Sequence, residues 1–191
     1  MNELDWKNLL AQWSKELIKF NKFVEVIPDA VIASGWLGFL GASEYQIART
    51  EARLGVALPP SYRTFLKVTN GWYQINNFVY RMWSTEELDW FSARHQSWID
   101  VWMEDPVPIS DEDYFTYGEK QGDIRVEYLQ TCLEISDRGD AAVFLLNPKI
   151  VSLDGEWEAW FFANWLGGAR RYPSFWEMMK SEYEVFTYTN R

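Results

Sequence analysis

Between Ser43 and Trp72 the chain carries so many local stop and start signals that few folds can accept it. Ser43, with Gln46 three residues on, is a capping-box pattern in which each side chain can satisfy the other residue's free backbone N–H. A helix is therefore expected to begin there. Gly55 follows Leu54, where a left-handed helix C-cap wants glycine. Leu58-Pro59-Pro60 makes an extended link, and proline in the first turn opens a further helix carrying Tyr62, Phe65 and Leu66. Asn70-Gly71 stops that helix and turns the chain into a stretch rich in aromatic and β-branched residues, Trp72 to Trp83, with a polar break at Asn76-Asn77.

The flanking segments extend this pattern. From Asn2 to Asn21, Trp6, Leu9, Leu10, Trp13, Leu17 and Phe20 recur at helical spacing. Residues around Gly35 to Gly41 read as an apolar, irregular connection. Ser84 and Glu87 form a second capping-box pattern, predicting a helix with Leu88, Phe91, His95, Trp98 and Trp102 on one face, ended by Pro106 and Pro108. An acidic loop, Asp111-Glu112-Asp113 followed by Tyr114, Tyr117 and Gly118, comes next. Val126 to Ile135 and Ala142 to Leu146 read as a strand pair around the turn Asp137 to Asp140, with Asn147-Pro148 as a break. Trp157 to Phe162 is a strand candidate whose continuous apolar character also admits a helix, and Ser174 to Phe186 is a closing helix. Helices followed by strands, a helix, more strands and a last helix predict a single α+β domain: a largely antiparallel sheet with helices packed beside it.

Charge divides the chain. Of 28 acidic and 18 basic residues, 15 acids and 4 bases fall between Glu86 and Asp140, so that segment carries −11 and the remainder +1. Its sign opposes direct nucleic-acid binding, which needs a positive surface. The single cysteine, Cys132, excludes an internal disulfide and fits a reducing compartment. Residues Met1 to Trp6 lack the basic start of a secretory signal, and no long apolar run is present, so a cytoplasmic location is expected. The 12 tryptophans can fill a thick aromatic core or act as interface anchors.

Chemistry-bearing patterns are scarce. His95 is the one histidine, and it falls on the apolar face of its predicted helix. No zinc spacing, nucleophile elbow, phosphate loop or dinucleotide fingerprint occurs. Asp111-Glu112-Asp113 lacks the alternating ligands and glycine of an EF-hand loop. No catalytic, cofactor or metal residues are expected. Arg138-Gly139-Asp140 reads as a turn, and Cys132 as a small core residue.

The segment LGVALPPSYRTFLKVTNGW, with the acid before it, resembles the signature of the SUKH superfamily. The matching positions are Glu51, Leu54, Gly55, Leu58, Pro59, Tyr62, Phe65, Leu66, Asn70 and Gly71. Val143-Phe144, Asn147-Pro148, Trp157-Glu158 and Ser174-Phe175 resemble the family's later strands and closing helix, so the likeness is sharpest over 43–186, with 1–42 as an N-terminal helical extension. The resemblance implies an α+β fold and a role in binding proteins. In the bacterial immunity branch, that means neutralising a cognate secreted toxin, often a nuclease. In the fungal branch it means acting as a regulatory adaptor.

A basic toxin would suit the acidic segment, and the expected contact residues are Glu86, Glu87, Glu104, Asp105, Asp111, Glu112 and Asp113, with Trp102 or Tyr114 as anchor. The rival readings are an adaptor for resident proteins and a carboxylate hydrolase, which no single acid singles out.

Overall fold

The computed structural model describes residues 2–20, 27–117 and 124–189. Asn21 and Gly118 of the predicted first helix and acidic loop lie outside the described residues.

The local signals from Ser43 onward act as their chemistry requires. Gln46 N–H donates to Ser43 Oγ at 3.3 Å and Ser43 N–H donates to Gln46 Oε1 at 2.9 Å. Together they start the helix Glu44–Leu54, here α3 after α1 (Glu3–Phe20) and α2 (Asp29–Ser34). Gly55 closes α3 in the left-handed region at φ 74°, its N–H on Glu51 O. Pro60 opens α4 (Pro60–Val68). Glu51 then holds the link, accepting from Leu58 N–H at 2.9 Å and Arg63 Nε at 3.3 Å. Gly41 is a close-approach glycine: a Cβ there would sit 1.9 Å from the Lys67 carbonyl oxygen. Only its bare backbone lets the preceding segment lie against α4, where Ala42 N–H reaches Leu66 O at 2.7 Å.

After the Asn70-Gly71 turn come two short strands, β1 (Trp72–Tyr73) and β2 (Arg81–Met82), paired antiparallel. A five-stranded antiparallel sheet follows, in the order β3 (Asp89–Trp90), β4 (Leu133–Glu134), β5 (Ala142–Val151), β6 (Trp157–Ala163) and β7 (Gly168–Tyr172). Helices α5 (Phe91–Met103), α6 (Asp111–Tyr114) and α7 (Phe175–Thr189) complete the α+β fold.

The sheet is covered on both faces. Phe144, Leu146, Ala159 and Phe161 point to one side and pack with α1, α4 and α7. Val143, Leu145, Trp160 and Phe162 point to the other and pack with α5 and the 3-10 turns at Val126–Thr131. That double covering explains the continuous apolar run of β6, every residue of which is buried. Tryptophan fills the core: Trp6, Trp13, Trp72 and Trp160 are fully buried. Trp6 of α1 contacts Phe65 at 5.3 Å and Trp176 at 4.7 Å, so the N-terminal helix is part of the main core.

Four sequence expectations change, and one strand was not foreseen. Ser84 and Glu87 do not start a helix. The Ser84 hydroxyl donates to Glu87 Oε2 at 2.8 Å, and Asp89 and Trp90 pair with β4, so α5 begins only at Phe91. Asp111 to Asp113 are a helical turn capped by Ser110 Oγ rather than a loop. Most of the predicted Val126–Ile135 strand is 3-10 helix, because Val126, Leu129 and Cys132 recur at three-residue steps and are buried on one side. Asn147-Pro148 does not end β5: a register shift between Asn147 and Val151 accommodates the proline. β7, rich in Gly and Arg, carries no strand signal and exists by pairing with β6.

In α7, Glu182 is 2% exposed, accepts from Asn76 Nδ2 at 2.7 Å and lies 3.9 Å from Arg170. Burial holds its carboxyl above the ordinary 4.5, against the opposing pull of Arg170 and Asn76. A folded pKa above the unfolded one means the folded chain binds the proton more tightly. Its contribution is complete below about pH 4.5 and is lost as pH rises through the raised folded value. Denaturant melts of Glu182→Gln are expected to gain stability relative to wild type between pH 4 and 7. A constant difference across that range would exclude this role.

Candidate protein-binding surface

Of the 15 acids that cluster in sequence, the 13 among the described residues do not form one face in space. Glu134 is buried beneath α5, with His95 Nε2 at 3.0 Å from its Oε1. His95 reaches it because α5 is broken there, at φ −130° and ψ 35°. Asp137 accepts from the N–H groups of Tyr80 at 2.9 Å and Arg81 at 3.0 Å. Glu86 and Glu87 precede α5, whereas Glu104 and Asp105 follow it, so roughly 20 Å of helix separates the two pairs.

What remains together is a ridge from the C-terminal end of α5 through α6. Glu104, Asp105 and Glu112 are exposed and have no ion-pair partner among the described residues. Apolar side chains accompany them, with Val107 76% and Phe115 52% exposed. Two shallow grooves flank Val107 and Ile109. One, of about 380 Å³, is lined by Pro106, Pro108, Arg125 and Glu127; the other, of about 170 Å³, by Trp102, Asp105, Ile124 and Val126. Trp102 is half-buried against the Phe162 ring at 5.4 Å and shows its remaining edge to the second groove. Asp111 is ion-paired with Arg125, and Asp113 accepts from the Ser110 hydroxyl at 2.8 Å, so these two acids fix α6 as well as charging it.

Tyr114 is not an exposed anchor. It is fully buried, and its hydroxyl donates to Glu158 Oε2 at 2.7 Å. Glu158 also accepts from Asn147 Nδ2 at 2.9 Å, Trp160 Nε1 at 2.8 Å and Arg171 at 2.9 Å. The Arg171 guanidinium lies 3.9 Å from the Tyr114 ring centre. Burial, and then the charge of Glu158, push the Tyr114 phenol well above its ordinary value, so it stays a donor. This buried cluster seats α6 on the sheet and was missed by the charge count. A lone acid inside WEAWFFA was the available signal, since a buried carboxylate requires several donors.

Cys132 is buried, which pushes its thiol pKa up and leaves it unreactive. Among the described residues no group of three or more His, Cys, Asp or Glu side chains is placed to hold a metal ion. No helix among them is long and apolar enough to cross a membrane.

A family model described as SMI1 / KNR4 family (SUKH-1) matches residues 41–181. The chain belongs to the SUKH-1 family. No curated protein matches it. SUKH proteins include toxin-immunity proteins and regulators, which act by binding other proteins. In this SUKH-1 chain the signature residues do structural work: Gly55 caps α3, Glu51 fastens the link, Tyr62, Phe65 and Leu66 are core, and Gly71 turns at φ 111°. The matched span begins at Gly41, the glycine pressed against α4.

Proposed function

We propose that this SUKH-1 chain is a non-enzymatic, cytoplasmic immunity protein that neutralises a basic, nuclease-type toxin by covering it with the α5–α6 ridge. The observation that carries this reading is the ridge itself, where Glu104, Asp105 and Glu112, without ion-pair partners among the described residues, are accompanied by exposed Val107 and Phe115. A surface that grips nucleic-acid phosphates must be positive. Exposed carboxylates can occupy it, and the exposed apolar side chains beside them can supply buried contact area.

The test is association of the purified chain with the toxin domain encoded beside its gene, followed by stopped flow. The association rate is expected to fall by about tenfold or more between low salt and 0.5 M, as long-range attraction is screened. A rate independent of salt would remove the ridge from the mechanism. Recovery of several resident proteins and no toxin would transfer the reading to a regulatory adaptor.

A further inference from the structure

At the other end of α5 lies a separate cleft of about 420 Å³, between the Phe39–Gly41 segment, the Asn70-Gly71 turn and the turn that carries Glu86 and Glu87. One side of it is apolar, formed by Phe39, stacked on Tyr73 at 4.8 Å, with Met82 buried beneath, while the remaining lining is mostly polar. Leu40 stands at the mouth, 92% exposed.

The polar groups of the cleft are unequally matched. Glu87 is fully used: it accepts from Ser84 N–H at 3.0 Å and from the Ser84 hydroxyl, and it pairs with Arg81. Glu86 is exposed and has no partner among the described residues. The charged lining residues, Glu86, Glu87 and Arg81, therefore leave one negative charge over. The two side-chain amides are held by their oxygens, Gln46 Oε1 on Ser43 N–H and Asn70 Oδ1 on Thr85 N–H at 2.8 Å. Their NH2 ends are left to donate, which suits peptide carbonyls.

We infer that this cleft binds an extended segment of a partner protein through one Lys or Arg side chain, its stem on Phe39 and Leu40 and its cationic head on Glu86. Lys and Arg combine an apolar stem with a charged tip, which is the combination the lining asks for. A purely apolar segment would leave Glu86 unmatched, and a free cation would make no use of the apolar wall. The site stands apart from the ridge and holds whether or not the ridge binds a toxin.

The experiment is a two-dimensional amide NMR titration of the full chain with acetyl-lysine methylamide, beside acetyl-norleucine methylamide, which has the stem without the charge. The lysine probe is expected to shift the Gly41, Gly71 and Glu86 amides with saturation in the millimolar range (about 4 kcal/mol of binding). The norleucine probe is expected to bind the same amides at least about threefold more weakly, the value of one exposed ion pair. Glu86→Lys should abolish the lysine-induced shifts while the rest of its spectrum matches wild type, showing that it is folded. Equal binding of the two probes, shifts confined to other residues, or an unaltered titration in Glu86→Lys would each overturn the inference.

Discussion

Glu158→Ala is expected to lower the stability of the folded chain by about 3–5 kcal/mol, the range for deleting one partner of a buried ion pair. The carboxylate is 1% exposed and is the common acceptor for Tyr114, Asn147, Trp160 and Arg171. Its removal leaves the Arg171 guanidinium, with Arg171 only 8% exposed, without its counter-charge, and strands three further donors on α6, β5 and β6. Glu158→Gln should recover little, because one acceptor oxygen becomes a donor facing donors. Tyr114→Phe loses a single hydrogen bond to a charged group and should cost less, about 1.5–3 kcal/mol. Denaturant melts of the three variants check the order. If Glu158→Ala cost under about 1 kcal/mol, the cluster would not be what seats α6 on the sheet.

The second large effect is on binding. Reversing Glu104, Asp105 and Glu112 to Lys together is expected to slow association with a basic toxin by about 10- to 100-fold at low salt and to flatten its salt dependence. Stability should stay within about 0.5 kcal/mol of wild type at each site, since all three side chains are exposed and unpaired among the described residues. Asp111 is a poorer choice, because its ion pair with Arg125 helps hold α6. Glu184→Lys supplies the control: it reverses an exposed charge on α7, on the other face of the sheet, and should leave ridge-dependent steering nearly intact. An association rate unchanged by the triple reversal, in a variant that melts like wild type, would exclude the ridge as the steering surface.

Side-chain chemistry acting over three or four residues was legible in the sequence alone. Ser43 and Gln46, Gly55, Pro60 and Asn70-Gly71 set α3, α4 and the turn beyond them, because each signal satisfies or frees a backbone group within its own segment. Gly55 and Asn70-Gly71 also belong to the family signature, so the α+β class and the family were both readable. Charge was read correctly as a sum and incorrectly as a place.

Whether an acid is exposed depends on what the sheet and helices set beside it. That is why Glu134 and Glu158 ended up buried, why Glu86 lies far from Glu104, and why Tyr114 faces inward to Glu158. β7 and the continuation of β5 through Pro148 exist for the same reason: pairing with β6 outweighed weak local preferences. Sequence by itself determined the elements whose hydrogen bonds close locally, and the total charge. Only the tertiary structure decided which charges share a face, because that depends on contacts between residues tens of positions apart, whose energies no local pattern encodes.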